Sequence, residues 1–188
     1  DRRYIVSHNL FNSKFEMLVY HKPCGEIVTL KDNANRKTVF ESLPSVSGKW
    51  INIGRLDLDT SGLLLFTNNG DIANKMMHPS SNISRTYEVL LKASFTDIKK
   101  NKCLNGLDIG MSETGKFDSV EKCNTTANKY IITLKTGKNR EVRRVFLTVN
   151  CTVINLKRIQ YDNIKLDNLI VGEHRYLNEE EIKSLSMY

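Results

Sequence analysis

Short apolar runs separated by turn residues alternate with helix-spaced stripes along the chain. Leu63, Leu64, Leu65 and Phe66 form a continuous run bounded by Ser61-Gly62 and by Thr67-Asn-Asn-Gly70, which predicts a strand covered on both faces. Residues 15–20 predict an earlier strand, and Thr38-x-x-Glu41 a capping box that opens a short helix toward Leu43 and closes at Pro44-Ser45. Ile72, Ala73, Met76 and Met77 make one apolar helix face that ends before His78-Pro79, where His78 is expected to be a structural cap. Tyr87, Val89 and Leu91 alternate with Glu88 and Leu90, as in a strand with one buried face. Thr96 is the expected N-cap of a following helix. Residues 130–134 read as a strand and residues 135–139 as a turn. Val142, Val145, Phe146 and Val149 have the i, i+3, i+4, i+7 spacing of an amphipathic helix, and Asn178 with Glu181 opens a last short one. Residues 106–128 are polar and turn-rich, a hairpin or a surface insertion. There are no repeats and no low-complexity linkers. The pattern is mixed strand and helix.

At 188 residues and 40% hydrophobic, the chain is long enough to bury a core as one domain or two tightly joined subdomains. A net charge of +7 favours a polyanionic partner, because Lys and Arg that neutralise phosphates release counterions. Cys24, Cys103, Cys123 and Cys151 are widely spaced with no C-x-x-C pair, so neither a zinc site nor a disulfide framework is expected, as suits a reducing cytoplasm. No apolar stretch approaches the roughly 20 residues of a membrane span, and no signal peptide is expected at the start. A soluble cytoplasmic monomer is the expectation.

The candidate chemistry lies just before the doubly covered strand, in Gly54-Arg55-Leu-Asp57-Leu-Asp59-Thr60-Ser61-Gly62. Charges immediately outside such a strand belong to a loop or strand rim whose side chains can face a cleft. Asp57 is a candidate nucleophile or base. On spacing alone the same stretch can be a capped turn, and Asp57 with Asp59, alternating in an extended segment, can be the D-x-D pair of a metal-dependent phosphoryl-transfer enzyme. Arg140, Arg143 and Arg144 gather at the start of the amphipathic helix, where they are either a solvated face or a binding group. Tyr87 is, on propensity, a strand aromatic of the core.

Gly54-Arg55-Leu56-Asp57 followed by Thr60-Ser61-Gly62-Leu63-Leu64 resembles the catalytic signature of RNA pseudouridine synthases, in the RsuA/RluB branch that modifies bacterial ribosomal RNA at single sites. Other segments match in order. Tyr20-His-Lys22-Pro23-x-Gly25 resembles the opening motif of that branch, and Arg36-x-Thr38-Val39-Phe40 with Leu43-Pro44 its next segment. Asn68-Asn-Gly70-Asp71, Met77-His78-Pro79-Ser80 and Arg85-Thr-Tyr87-x-Val89 continue the series. Gly137-x-Asn139-Arg140-Glu141-Val142-Arg143-Arg144 and Arg158-Ile-x-Tyr161 complete it. The likeness covers about residues 17 to 177 and is closest to the type that acts on large-subunit rRNA.

The resemblance implies one α+β catalytic domain over residues 1–188, with a mixed, mainly antiparallel sheet shared by two subdomains and a basic cleft across it. It implies uridine isomerisation with ribosomal RNA as partner and neither cofactor nor metal. Asp57 would be the nucleophile, and Tyr87 would lie under the target base. Arg143 would be the cation paired with Asp57, a pairing that favours the ionised carboxylate. Arg55 would fill the gap left by a flipped base, Arg140 and Arg144 would bind phosphates, and Lys22 and Arg85 would stand at the cleft rim. That branch carries an S4-type RNA-binding domain ahead of the catalytic one, expected to be absent here. Asp162 stands where relatives often have glycine, a difference expected to affect a turn. A catalytically silent rRNA-binding module is a further alternative.

Overall fold

The computed structural model describes residues 15–185. The leading segment, expected to hold no signal peptide, lies outside them. β1 (Met17–Lys22), β2 (Ile51–Ile53), β3 (Ser61–Thr67) and α1 (Gly70–Met77) precede β4 (Arg85–Leu91) and α2 (Asp97–Asn105). β5 (Leu107–Asp108), β6 (Thr114–Gly115), β7 (Ser119–Lys122), β8 (Lys129–Leu134) and α3 (Glu141–Thr148) follow. β9 (Val153–Tyr161), β10 (Ile164–Lys165), β11 (His174–Tyr176) and α4 (Glu179–Leu185) complete the series.

The main sheet runs β11-β1-β3-β9-β4-β8-β7, with β2 added to β3 and β10 to β9. Every pairing in it is antiparallel except β3 with β9, the seam between its two halves. The mixed, mainly antiparallel sheet is the architecture expected. Side chains of β3 alternate between two cores. Leu64 and Phe66 join Leu18, Tyr20, Val89 and the α3 residues Val145 and Phe146, whereas Leu63 and Leu65 join Met17, Val19, Met76 and Leu185. Burial on both sides is why that run shows no polar alternation.

Other local expectations have specific outcomes. The Glu41 carboxylate accepts from the Thr38 backbone N–H at 2.8 Å and hydroxyl at 3.0 Å, but the turn it caps is a 3-10 helix over Val39–Ser42. Ala73 and Met76 are buried in α1, whereas Met77 is exposed. Thr96 caps α2 through the Lys99 N–H, and the His78 ring accepts from the Ser80 N–H as a structural cap. Asn178 and Glu181 bond reciprocally at the start of α4. Residues 106–128 hold the β5–β6 hairpin and β7. Asp162 takes a left-handed conformation (φ 55°) between β9 and β10, which accounts for glycine as the alternative there. The four cysteines are free thiols, and no helix among the described residues is long and apolar enough to cross a membrane.

Two contacts fix the loop between β2 and β3. At the seam Gly62 pairs with Arg158, and a Cβ on Gly62 would lie 2.2 Å from the Arg158 carbonyl oxygen and 2.6 Å from its nitrogen. Gly62 also has φ +109°, so only glycine permits both the conformation and the approach. The second contact corrects an expectation. Lys22 is not at the cleft rim but fully buried, its ammonium donating to the carbonyls of Pro23 (2.9 Å), Asp57 (3.1 Å) and Thr60 (3.0 Å). Its backbone pairs with Gly62, so the side chain reaches the loop from inside the sheet. Burial pulls its pKa below that of a free lysine, opposed by negative groups nearby.

Gly62→Ala is expected to lower stability by about 3 kcal/mol or more in urea denaturation. Gly48→Ala, with φ +94° but open space around it, is expected to cost only about 1 kcal/mol. Lys22→Met leaves three carbonyls without their donor and is expected to cost about 2 kcal/mol or more, with loss of hydrogen-exchange protection at the Thr60 amide, whose N–H donates to Asp57 O.

Candidate active site

Residues 54–60 form a tied loop. Thr60 N–H donates to Asp57 O at 3.1 Å, and Gly25 N–H donates to Leu58 O at 2.8 Å, joining the loop to the segment after β1. Asp57 therefore sits on a backbone held by Lys22, by its own turn and by the Gly62 seam. Its side chain is 31% exposed, open to a cleft but not free in solvent.

Opposite the loop, α3 begins at a turn built by Glu141. This buried carboxylate accepts from the Thr136 hydroxyl at 2.6 Å and from the Lys138 N–H at 2.9 Å. Arg140, the N-cap, is held left-handed at φ 48°, an uncommon conformation for a residue other than glycine. Its guanidinium makes two bonds to the Asp59 carboxylate, at 3.1 and 3.0 Å, and lies 3.6 Å from the Asp57 carboxylate. The Arg140 hydrogen bond holds the Asp59 carboxyl below its usual pKa, and the Arg140 pKa is raised in return.

This distribution revises the expected roles of the arginines. The cation within salt-bridge distance of Asp57 is Arg140, not Arg143. Arg143 donates to Asp59 O at 2.8 Å and Val153 O at 3.3 Å and approaches the Asp59 carboxylate at 3.3 Å, so its two Nη groups tie the loop to β9, while its buried Nε has no hydrogen-bond partner. Arg144 is likewise committed. It donates to the carbonyls of Ile109, Gly110 and Asn139 and to the Glu113 carboxylate, clamping the β5–β6 hairpin with four of its five N–H groups. Arg85 bonds the carbonyls of Ile83 (2.8 Å) and Lys135 (2.7 Å) and lies over the Tyr161 ring.

An open cleft of about 1340 Å³ brings together Asp57, Tyr87, Arg55, Arg85 and Arg140; Lys22, Arg143 and Arg144 do not line it. Tyr87 is 9% exposed. The exposed Arg55 guanidinium makes no hydrogen bond or ion pair with the described residues. Eight Lys or Arg side chains line the cleft against three carboxylates, so its field favours a polyanion. Asp57 and Asp59 share Arg140 between them, and the described residues contain no group of three or more His, Cys, Asp or Glu placed to hold a metal.

One cleft residue lies within a matched segment of the sequence but has no role assigned there. Arg158 is 2% exposed, donates to Leu63 O at 2.7 Å, and pairs across β4–β9 with Tyr87. The register slips between Thr86 and Tyr87, so that Thr86 faces Gln160 and Tyr87 faces Arg158. The available signal was spacing: Arg158 lies two residues from the buried Leu156, on the parity that points inward, where an unpaired arginine is exceptional.

The family described as RNA pseudouridylate synthase matches residues 16–148. "Ribosomal large subunit pseudouridine synthase B" of Xanthomonas campestris pv. campestris is 40% identical, over 98% of this chain and 39% of its own length. The protein of the same name in Buchnera aphidicola subsp. Acyrthosiphon pisum is 39% identical, over 96% of this chain and 74% of its own. The chain thus spans about two fifths of the length of its Xanthomonas campestris and Xylella relatives. A solved structure titled "Crystal structure of pseudouridylate synthase" superimposes with a TM-score of 0.83 at 25% identity, covering 93% of this chain and 75% of that one. With a cleft of this composition on the same fold, the chain belongs to the RNA pseudouridylate synthase family.

Proposed function

We propose that this chain is the catalytic domain of a cytoplasmic, monomeric enzyme that isomerises one uridine of large-subunit ribosomal RNA to pseudouridine, with Asp57 as the reacting carboxylate. The observation that carries this reading is the setting of Asp57: a partly exposed carboxylate on a loop tied at several points, inside a cation-lined cleft that also holds Tyr87. A module that only bound RNA would be weakened by carboxylates in that cleft, since they repel phosphate.

The cationic walls bind RNA phosphates and set a strong salt dependence. The target base leaves the stack at a cost of a few kcal/mol, offset by stacking on Tyr87 and by insertion of the unpartnered Arg55 guanidinium into the vacated space. Asp57 then attacks ribose C1′, or removes the 2′ proton to leave a glycal. In either route the N1–C1′ bond breaks with its electron pair on the uracil. The detached base turns and C5 bonds to C1′; in the first route this expels the Asp57 carboxylate, in the second the proton held by Asp57 returns to C2′, and in both N1 is protonated as the C5 proton is lost. Electrons and atoms balance without a redox partner, a metal or a cofactor. Arg140 holds the Asp59 carboxylate beside Asp57, and Arg143 holds the loop against β9 while the base rotates.

Pseudouridine mapping of rRNA from cells lacking the gene, complemented with full-length wild type or Asp57→Asn, tests this function. One large-subunit pseudouridine is expected to vanish and to return with wild type alone; an unchanged map contradicts the reading. In vitro, Asp57→Asn is expected to lower the single-turnover rate by about 10⁴-fold or more while RNA affinity in filter binding is retained. Arg55→Ala is expected to slow a stem-embedded target by about 10-fold or more, and a target uridine placed in a mismatch much less, because that base is cheaper to extrude.

A further inference from the structure

Phosphate binding accounts for the exposed cations of the cleft but not for Arg158. Its side chain is 2% exposed, too deep for an RNA phosphate to reach. Its Nε donates to Leu63 O, its guanidinium carbon lies 5.3 Å from the centroid of the Tyr161 ring, and its buried Nη2 has no hydrogen-bond partner. No carboxylate among the described residues lies within salt-bridge distance of it. Arg85 approaches the same ring at 5.1 Å, also with no carboxylate partner there. Two guanidinium groups that line the cleft thus share one aromatic ring and no counter-charge. A buried cation without a counter-ion disfavours the folded state unless negative charge arrives beside it.

The isomerisation delivers such a charge. When N1–C1′ breaks, the electron pair remains on the uracil and spreads over N1, O2 and O4. Asp57 gives up its own negative charge in the same step, by bonding C1′ or by taking the 2′ proton. Charge therefore moves from the Asp57 loop to the base. Arg158 pairs across the sheet with Tyr87, the residue assigned to the base, and the Gly62 seam binds its backbone to the end of the Asp57 loop. A fixed cation in a low-dielectric setting stabilises a developing anion more than a neutral ground state, which is the condition for accelerating the step.

We propose that the Arg158 guanidinium, assisted by Arg85, is the electrostatic stabiliser of the uracil anion that detaches from the ribose. This rests on the synthase reading above. Arg158 supplies charge from beneath the base site and holds no phosphate, so it governs bond cleavage rather than RNA affinity.

The test compares wild type, Arg158→Met and Arg158→Lys in single turnover on an RNA carrying the target as uridine or as 5-fluorouridine. The readout is loss of the parent nucleoside after nuclease digestion. Fluorine makes the uracil a better leaving group, so cleavage of that substrate needs less help from a cation. Arg158→Met is expected to slow uridine cleavage by about 10²-fold and 5-fluorouridine cleavage several-fold less, with RNA binding unchanged and Arg158→Lys recovering most of the uridine rate. The two substrates are compared within one preparation of each variant, so any unfolded fraction cancels. Equal losses on both substrates, or a lysine variant as slow as the methionine one, would overturn the proposal and leave the synthase reading standing. A wild-type protein that converts neither substrate would sink both.

Discussion

The seam between β3 and β9 is the constraint on which the site depends. A parallel pairing of two strands, each otherwise bordered by antiparallel neighbours, joins the two halves of the sheet, and it closes only because Gly62 has no side chain to meet the Arg158 backbone. From that contact the geometry spreads in two directions. Toward the amino end of β3, the backbone enters the Asp57–Thr60 turn, whose carbonyls are gathered by the Lys22 ammonium. Along β9, Arg158 is placed opposite Tyr87. β9 lies between β3 and β4 in the sheet, so the seam and the β4–β9 pairing together bring the carboxylate and the aromatic into one cleft.

Charge around the cleft is divided by burial. Exposed cations such as Arg55 and Lys135 line the walls and suit a phosphate backbone. Arg140 is shared with Asp59 and Asp57, which keeps a pair of carboxylates tolerable in a basic surrounding. Arg143 and Arg144 donate mainly to backbone carbonyls and act as fasteners. Arg158 and Lys22 are buried cations neutralised by no carboxylate, bonded instead to carbonyls. Both border the Asp57 loop.

Much of this was legible in the chain. The run Leu63–Phe66 showed a strand covered twice over because neither of its faces could be spared for solvent, and the Thr38/Glu41 pair and the Val142/Val145/Phe146 spacing marked their turns because they act locally. The Asp57 loop stood out because charge abutted a doubly apolar strand. What escaped depends on distant partners. Arg140, Arg143 and Arg144 look alike in sequence, yet their jobs are assigned by Asp59, Val153 and the β5–β6 hairpin. Lys22 appears as a surface cation until three carbonyls are seen to surround it. In the sequence the hairpin is only one of two alternatives, because its strands are two residues long, too short to show an apolar alternation.

The most direct measurement is tritium release from large-subunit rRNA labelled at uracil C5 and incubated with the purified chain. Isomerisation joins C5 to the ribose and must expel that hydrogen. The expected result is release of one equivalent per RNA by wild type and none by Asp57→Asn. Release by the Asp57→Asn protein at the wild-type rate, or none from wild-type protein that binds the RNA, would contradict the assignment of the cleft and of its carboxylate.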